Sequence, residues 1–274
     1  MKEILGFDEI IYNGDELTAI KTIPTSAVFF EGHYPGNPIF PGVLQLDLAV
    51  FAAQLLSKSI EYTDTLIKHI KKFRFLKMIY PGQIVTVKLK YIKSAVYGHE
   101  IDVTIVVEGE RVSYGTLVMS KKQEESTNQF LFDSKKQNFV MGASEIRKYL
   151  PHRFPFAHID GVVELIPGHS IRALKNISSN DYAFWGEEPG TPFPPLLMIE
   201  VFSQGAGMVC DFNGFPLLGV LACVDFLGNA YPGDQMFVEA SVVKSISDKR
   251  MITGSIKVGD QVIFNVDNVI CGEK

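Results

Sequence analysis

His33 sits in the run GHYPGNPIFPGVLQLD, fourteen residues ahead of Asp47. A neutral imidazole, with an unperturbed pKa of about 6.5, is available near neutral pH as a proton acceptor. Two carboxyl groups lie in apolar surroundings, Asp47 in LQLDLAV and Glu200 in LLMIEVF. A carboxyl without a partner is costly to bury, and desolvation raises its pKa until it can hold a proton and release it. Base and acid of this kind are the equipment for general acid–base chemistry. Of the other five histidines, His69, His99, His158 and His169 form no cluster with carboxylates at metal-ligand spacing.

The residues around His33 also indicate how it would be held. Pro35, Pro38 and Pro41 fix φ along the loop, whereas Gly32 and Gly36 allow turns that other residues resist. After Pro41 an almost wholly apolar helix is predicted, with Val43, Leu44, Leu46, Leu48, Val50, Phe51, Leu55 and Leu56 on most of its faces. Gly42 begins that helix, so its N–H is unpaired within the helix and feels the positive end of the dipole. It is placed to hold a carbonyl oxygen. Four segments follow, IKKFRFLKMI, IVTVKLKYI, HEIDVTIVVEGE and RVSYGTLVMS, whose alternation fits antiparallel strands wrapped around the helix.

The plan then repeats at a spacing of about 150 residues. FFEGHYPGNPIFPGVLQLDLAVFAAQL is echoed by FWGEEPGTPFPPLLMIEVFSQGAGM, and FLKMIYPGQ by FLGNAYPGD. The alignment puts Glu187 opposite His33, Glu200 opposite Asp47, and Pro195 opposite Gly42. Proline has no N–H to offer. The second copy therefore lacks both the base and the donor. Its helix is expected from about Pro195 to Cys210, followed by strands in GVLACVDFLG, MFVEASVVKSI, MITGSIKVG and VIFNVDNVI. We expect an α+β chain of two tandem domains, residues 1–120 and 145–274. They are joined by a polar linker over 121–144, in which Phe130, Leu131 and Phe132 could pack onto a domain.

Composition narrows the function. A net charge of −5, with no basic domain, argues against a general nucleic-acid binder, and no apolar run is long enough to span a bilayer. The N-terminal MKEILGFDEIIYNGDE turns acidic where an export signal needs an apolar core, so a cytoplasmic location is expected. Cys210, Cys223 and Cys271 show no metal-ligand spacing and read as buried free thiols.

The segment GHYPGNPIFPGVLQLD resembles the active-site segment of the 3-hydroxyacyl-[acyl-carrier-protein] dehydratases, and EIRKYLPHRFPFAHIDGVVELIPGHSIRALKNIS resembles the N-terminal segment of the same family. The resemblance implies a hotdog fold, a long helix wrapped by a curved antiparallel sheet, here as a tandem pair packed as an intramolecular pseudo-dimer. It implies no metal or organic cofactor. In that family the histidine and the acid come from different subunits, so it implies one active site made of His33 and Glu200, with His33 as base and Glu200 as proton donor or orienting group. The carbonyl of Ile39 would accept from the His33 ring and Gly42 would bind the thioester carbonyl. Asp47, Glu187 and Pro195 would mark a degenerate second site, and His152, in LPHRFPF, would lie outside the catalytic pair as a structural residue. The implied partner is acyl carrier protein with its phosphopantetheine-linked 3-hydroxyacyl chain, docked on the basic run Lys68, Lys71, Lys72, Arg74 and Lys77. The pathway would be fatty acid or specialised polyketide or polyene synthesis. A hydrolase of acyl thioesters and a non-catalytic carrier-binding subunit are the alternatives, and further association of the fused chain stays open.

Overall fold

The computed structural model describes residues 6–95, 98–122, 137–210 and 216–273. The segment around Phe130, Leu131 and Phe132 lies outside the described residues. In the first half, β1 (Glu9–Asn13) and β2 (Glu16–Thr22) precede a short α1 (Phe29–Gly32) and the long α2 (Gly42–Ser59). Strands β3 (Thr65–Phe75), β4 (Ile84–Ala95), β5 (Gly98–Val107) and β6 (Glu110–Lys121) complete it. The second half begins with β7 (Met141–Gly142) and α3 (Ala143–Tyr149), then β8 (Gly161–Ile166) and β9 (Ser170–Asn176). It continues with α4 (Pro195–Val209) and β10 (Pro216–Phe226), β11 (Gln235–Ile246), β12 (Lys249–Val258) and β13 (Gln261–Glu273).

These strands form one sheet of 13 in the order β1-β2-β4-β5-β6-β3-β10-β13-β12-β11-β9-β8-β7. The order is a palindrome about the β3–β10 junction: β6 answers β13, β5 answers β12, β4 answers β11 and β2 answers β9. The repeat read from the chain is thus a repeat of topology. At the junction the strands run antiparallel with Phe73 opposite Leu221 and Ile70 opposite Val224, all four fully or almost fully buried. Period-two alternation is clearest in β5, whose side chains Ile101, Val103, Ile105 and Val107 are buried while Asp102 between them faces out.

Helix α2 is apolar nearly all round because it is enclosed nearly all round. Leu44, Leu46, Leu48, Ala49, Ala52, Ala53 and Leu56 have no exposed surface. It packs on β2, β3, β4, β5 and β6 and also touches α4, which packs on β9, β10, β11 and β12. Each fully buried leucine contributes about 2 kcal/mol from apolar burial. The hotdog description therefore fits, α+β with a helix inside a curved sheet in each half. Among the described residues no helix is long and apolar enough to cross a membrane. Cys210 and Cys271 are buried, with sulfur atoms 3.3 Å apart, whereas Cys223 is only partly buried, contrary to the expectation for all three. Its Sγ lies 3.9 Å from Asp225 Oδ1.

Phe73 locks the junction from the first half. Phe73→Ala should lower the free energy of unfolding by about 3–5 kcal/mol in denaturant titration; a loss under about 1 kcal/mol would mean that the junction is not a packed core.

Candidate active site

His33 follows α1, and its N–H caps that helix by donating to the Phe29 carbonyl at 2.9 Å. Tyr34 next to it adopts φ of 55°, a left-handed conformation uncommon for a bulky residue and held here by the turn that Asn37 N–H closes on the Tyr34 carbonyl. Further on, Phe40 N–H donates to the Ile79 carbonyl at 2.7 Å, anchoring the loop to the segment after β3. The imidazole is 7% exposed, with Nδ1 2.9 Å from the Ile39 carbonyl oxygen. A carbonyl can only accept, so Nδ1 carries the proton and Nε2 keeps the lone pair. Burial draws the pKa of His33 down to about 4, opposed by that hydrogen bond. The ring is neutral at pH 7.

Two loops, one from each half, clamp the site. Arg153 N–H donates to the Gly32 carbonyl at 2.9 Å, and a Cβ on Gly32 would stand 2.4 Å from the Arg153 carbonyl oxygen. Only glycine admits this approach. The same loop sets Phe156 against His33, with ring centroids 5.5 Å apart, and brings the His152 ring within 5.5 Å of His33 and 5.3 Å of Tyr34.

Glu200 comes from α4 and is 8% exposed. Gln204, one turn later on the same face, donates from Nε2 to Glu200 Oε1 at 2.8 Å and to the Phe156 carbonyl at 2.5 Å, while its Oε1 accepts from the His158 N–H at 2.9 Å. Every hydrogen-bonding position of that amide but one acceptor lone pair is used, so it fixes Glu200 and ties α4 to the loop. Burial pushes Glu200 up to about 7, with the Gln204 hydrogen bond acting against it. His152 Nε2 is 3.4 Å from Glu200 Oε1. Burial holds His152 well below the usual imidazole range, and its Nδ1 is buried with no partner among the described residues.

His33, Ile39, Gly42, His152, Glu200 and Gln204 line one cavity of about 650 Å³. The structure thus brings together the histidine of one half and the glutamate of the other. Among the described residues no hydrogen bond joins them directly, and His152 lies next to both. Expecting it outside this pair was an error of location. A segment that precedes the sheet in sequence is folded back by its contact with Gly32, a tertiary approach that leaves no mark on local pattern. Gln204 was readable, since four residues from Glu200 on a helix is the same face, but the apolar context drew attention only to the acid. Gly42 opens α2 under the ring of Phe75, which would be 3.2 Å from an added Cβ.

Asp47, Glu187 and Pro195 do not line this cavity. Asp47 is partly buried, and desolvation pushes it up to about 6. Pro195 is the first residue of α4. Of the basic run, Arg74 and Lys77 line the cavity, whereas Lys68, Lys71 and Lys72 do not. Lys71 is bound to Glu100 at 2.8 Å and Lys77 is paired with Glu110. Lys249, from the second half, joins Arg74 at the lining. The positive groups at the mouth therefore come from both halves, rather than from one run.

Residues 9–113 match the family model of ApeI-like dehydratases. The 3-hydroxyacyl-[acyl-carrier-protein] dehydratase FabZ of Saccharophagus degradans is 40% identical over 147 residues, covering 49% of this chain and 99% of that protein. The enzyme of the same name from Teredinibacter turnerae is 42% identical over 110 residues, 37% of this chain and 75% of its own. Over the whole length the fold is similar to that of the dehydratase domain of PpsC from Mycobacterium tuberculosis, solved with C12:1-CoA, at a TM-score of 0.69 and 13% identity over 99% of this chain and 98% of that one. A Lactobacillus plantarum chain assigned as an oleoyl thioesterase is similar at a TM-score of 0.61 and 12% identity, covering 95% and 97%. Fold alone therefore does not separate the two chemistries.

Glu200 ties stability to pH. Its folded pKa of about 7 lies above the ordinary 4.5, so between those values the native state keeps a proton that the unfolded chain has lost. Stability from this group falls as pH rises through that window and levels off above it, a swing of up to about 3 kcal/mol. Glu200→Gln should remove the swing, gaining on the parent at pH 8 relative to pH 4.5 in denaturant titrations. An equal difference at both pH values would mean that Glu200 titrates normally.

Proposed function

This chain belongs to the 3-hydroxyacyl-[acyl-carrier-protein] dehydratase family, and on that premise we propose that it carries out dehydration at a single working site per chain, shared between its halves. The reaction removes a proton from C2 of a 3-hydroxyacyl thioester and hydroxide from C3, the hydroxide leaving as water once protonated. His33 Nε2 takes the C2 proton. Glu200, which burial helps to keep protonated near neutral pH, gives its proton to the departing hydroxyl. The C2–H electron pair becomes the C2=C3 bond of the trans-2-enoyl product, leaving His33 charged and Glu200 ionised. The Gly42 N–H, at the positive end of α2, receives the negative charge that builds on the thioester carbonyl during proton removal. His152, beside both groups, offers the route by which the proton on His33 returns to Glu200 before the next turnover.

The observation that carries this reading is the opposition of environments. One cavity holds an imidazole drawn down to about 4, hence neutral at neutral pH, and a carboxyl pushed up to about 7, so that its protonated form stays accessible there. Asp47, Glu187 and Pro195 mark the other, degenerate position. A carboxylic acid replaces the base there, and a proline the donor. His33→Ala and Glu200→Gln should each lower kcat/KM by about 10²–10⁴ in an assay of carrier-bound 3-hydroxyacyl substrate, whereas Asp47→Asn should retain most activity. Loss of activity in Asp47→Asn at unchanged stability would mean that the second position works. Hydrolysis in place of enoyl formation would identify a thioesterase.

The partner is acyl carrier protein, an acidic protein, and Arg74 and Lys249 are the cationic groups at the cavity that are engaged in no ion pair among the described residues. Charge reversal at both should raise KM for the carrier-bound substrate by about tenfold at low salt, with the effect fading as ionic strength rises. Free thioesters should barely notice the change. An equal effect on free and carrier-bound substrates would rule out a docking role.

A further inference from the structure

Gln45 lies on α2 between Leu44 and Leu46, one turn beyond Gly42, and is 3% exposed. It lines the catalytic cavity, yet its Oε1 is buried without a hydrogen-bond partner among the described residues. On the other helix Ser203, three residues beyond Glu200, lines the same cavity with a buried and equally unpartnered Oγ. Val43, Phe75, Leu218, Val220 and Ile270 supply apolar lining to the same cavity. A purely hydrocarbon chain in that space would leave an amide and a hydroxyl desolvated and unsatisfied.

The groups already assigned account for the thioester carbonyl, C2 and C3. Gln45 is displaced from Gly42 by about 4.5 Å along the helix axis, so it addresses some other part of the substrate. An amide both donates and accepts, as does a hydroxyl, and such a pair matches a neutral group rather than an ion. We propose, resting on the dehydratase reading of this cavity, that the acyl chain accepted here carries a second neutral hydrogen-bonding group beyond C3, a hydroxyl or a carbonyl, received by Gln45 with Ser203. The amides of the phosphopantetheine arm are the other source of the same chemistry. The deep burial of Gln45 favours the acyl tail, and the two sources respond differently to substitution.

The test uses the full chain with 3-hydroxyacyl thioesters of equal length, one with a plain alkyl tail and one with a hydroxyl on the tail, each on pantetheine and on the shorter N-acetylcysteamine. The parent should prefer the hydroxylated tail by about tenfold or more in kcat/KM, the ratio that one net hydrogen bond produces. Gln45→Met, which keeps the length of the side chain, should abolish that preference on both thiols, and Gln45→Leu serves if it packs better. Equal turnover of both tails by the parent, or an alkyl preference, overturns the inference. So does a loss in Gln45→Met that is the same for both tails but larger on pantetheine, which would assign the amide to the arm. Binding of the matching saturated acyl thioesters, measured by calorimetry, reads the tail preference separately. Absence of enoyl product from every substrate would then sink the dehydratase reading, while the binding ratio still decides the role of Gln45.

Discussion

The pairing of β3 with β10 is the constraint on which the rest of the molecule depends. It turns two half-sheets into one, and the continuous sheet forces α2 and α4 together on the same side. His33 belongs to one half and Glu200 to the other, so without that junction neither residue would have a chemical partner. The contact of Gly32 with the Arg153 backbone acts at the other end of the same problem, closing the histidine loop onto the second half. A strand pairing distant from His33 in sequence and a loop contact made by the residue just before it together determine where its ring stands.

Burial then does the electrostatic part. Among the described residues no permanent cation is paired with Glu200 to hold it ionised, and no anion bonds to the His33 ring to hold it charged; each is hydrogen-bonded to a neutral group, the Gln204 amide and the Ile39 carbonyl. Low polarity penalises the charged form of both, which moves an acid upward and a base downward. The same apolar enclosure that stabilises the fold therefore sets two protonation states at once. Either charge alone would be expensive here. The proposed reaction would create both together, so that each relieves the desolvation of the other.

The sequence carried the topology well because repetition is a long-range signal written locally: two Gly/Pro loops, two apolar helices and two sets of alternating strands at one spacing. It also singled out His33 as the candidate base, since it is framed by residues whose backbone preferences are strong. Contacts made only by the folded chain were less legible. The family resemblance places His152 outside the catalytic pair, and nothing near it in sequence shows that its loop meets Gly32. The basic run from Lys68 to Lys77 looked like a patch, but a strand sends alternate residues to opposite faces, and Glu100 and Glu110 engage two of its lysines. Gln45 hid among leucines, where an amide reads as a minor irregularity until its lack of a partner is visible.

The palindromic order of the strands has a consequence for inheritance. In an assembly of two identical subunits every substitution appears twice, so a change that improves one site and ruins its twin is felt at both. Two copies on one polypeptide are free of that coupling. A proline can replace a glycine, or a carboxylic acid an imidazole, in one copy while the other keeps the original, and the surplus surface becomes raw material for shape, partner choice or stability. The near-symmetry of this sheet is the record of a shared plan, and the unlike residues at its two matching positions are what one chain permits and a symmetric pair forbids.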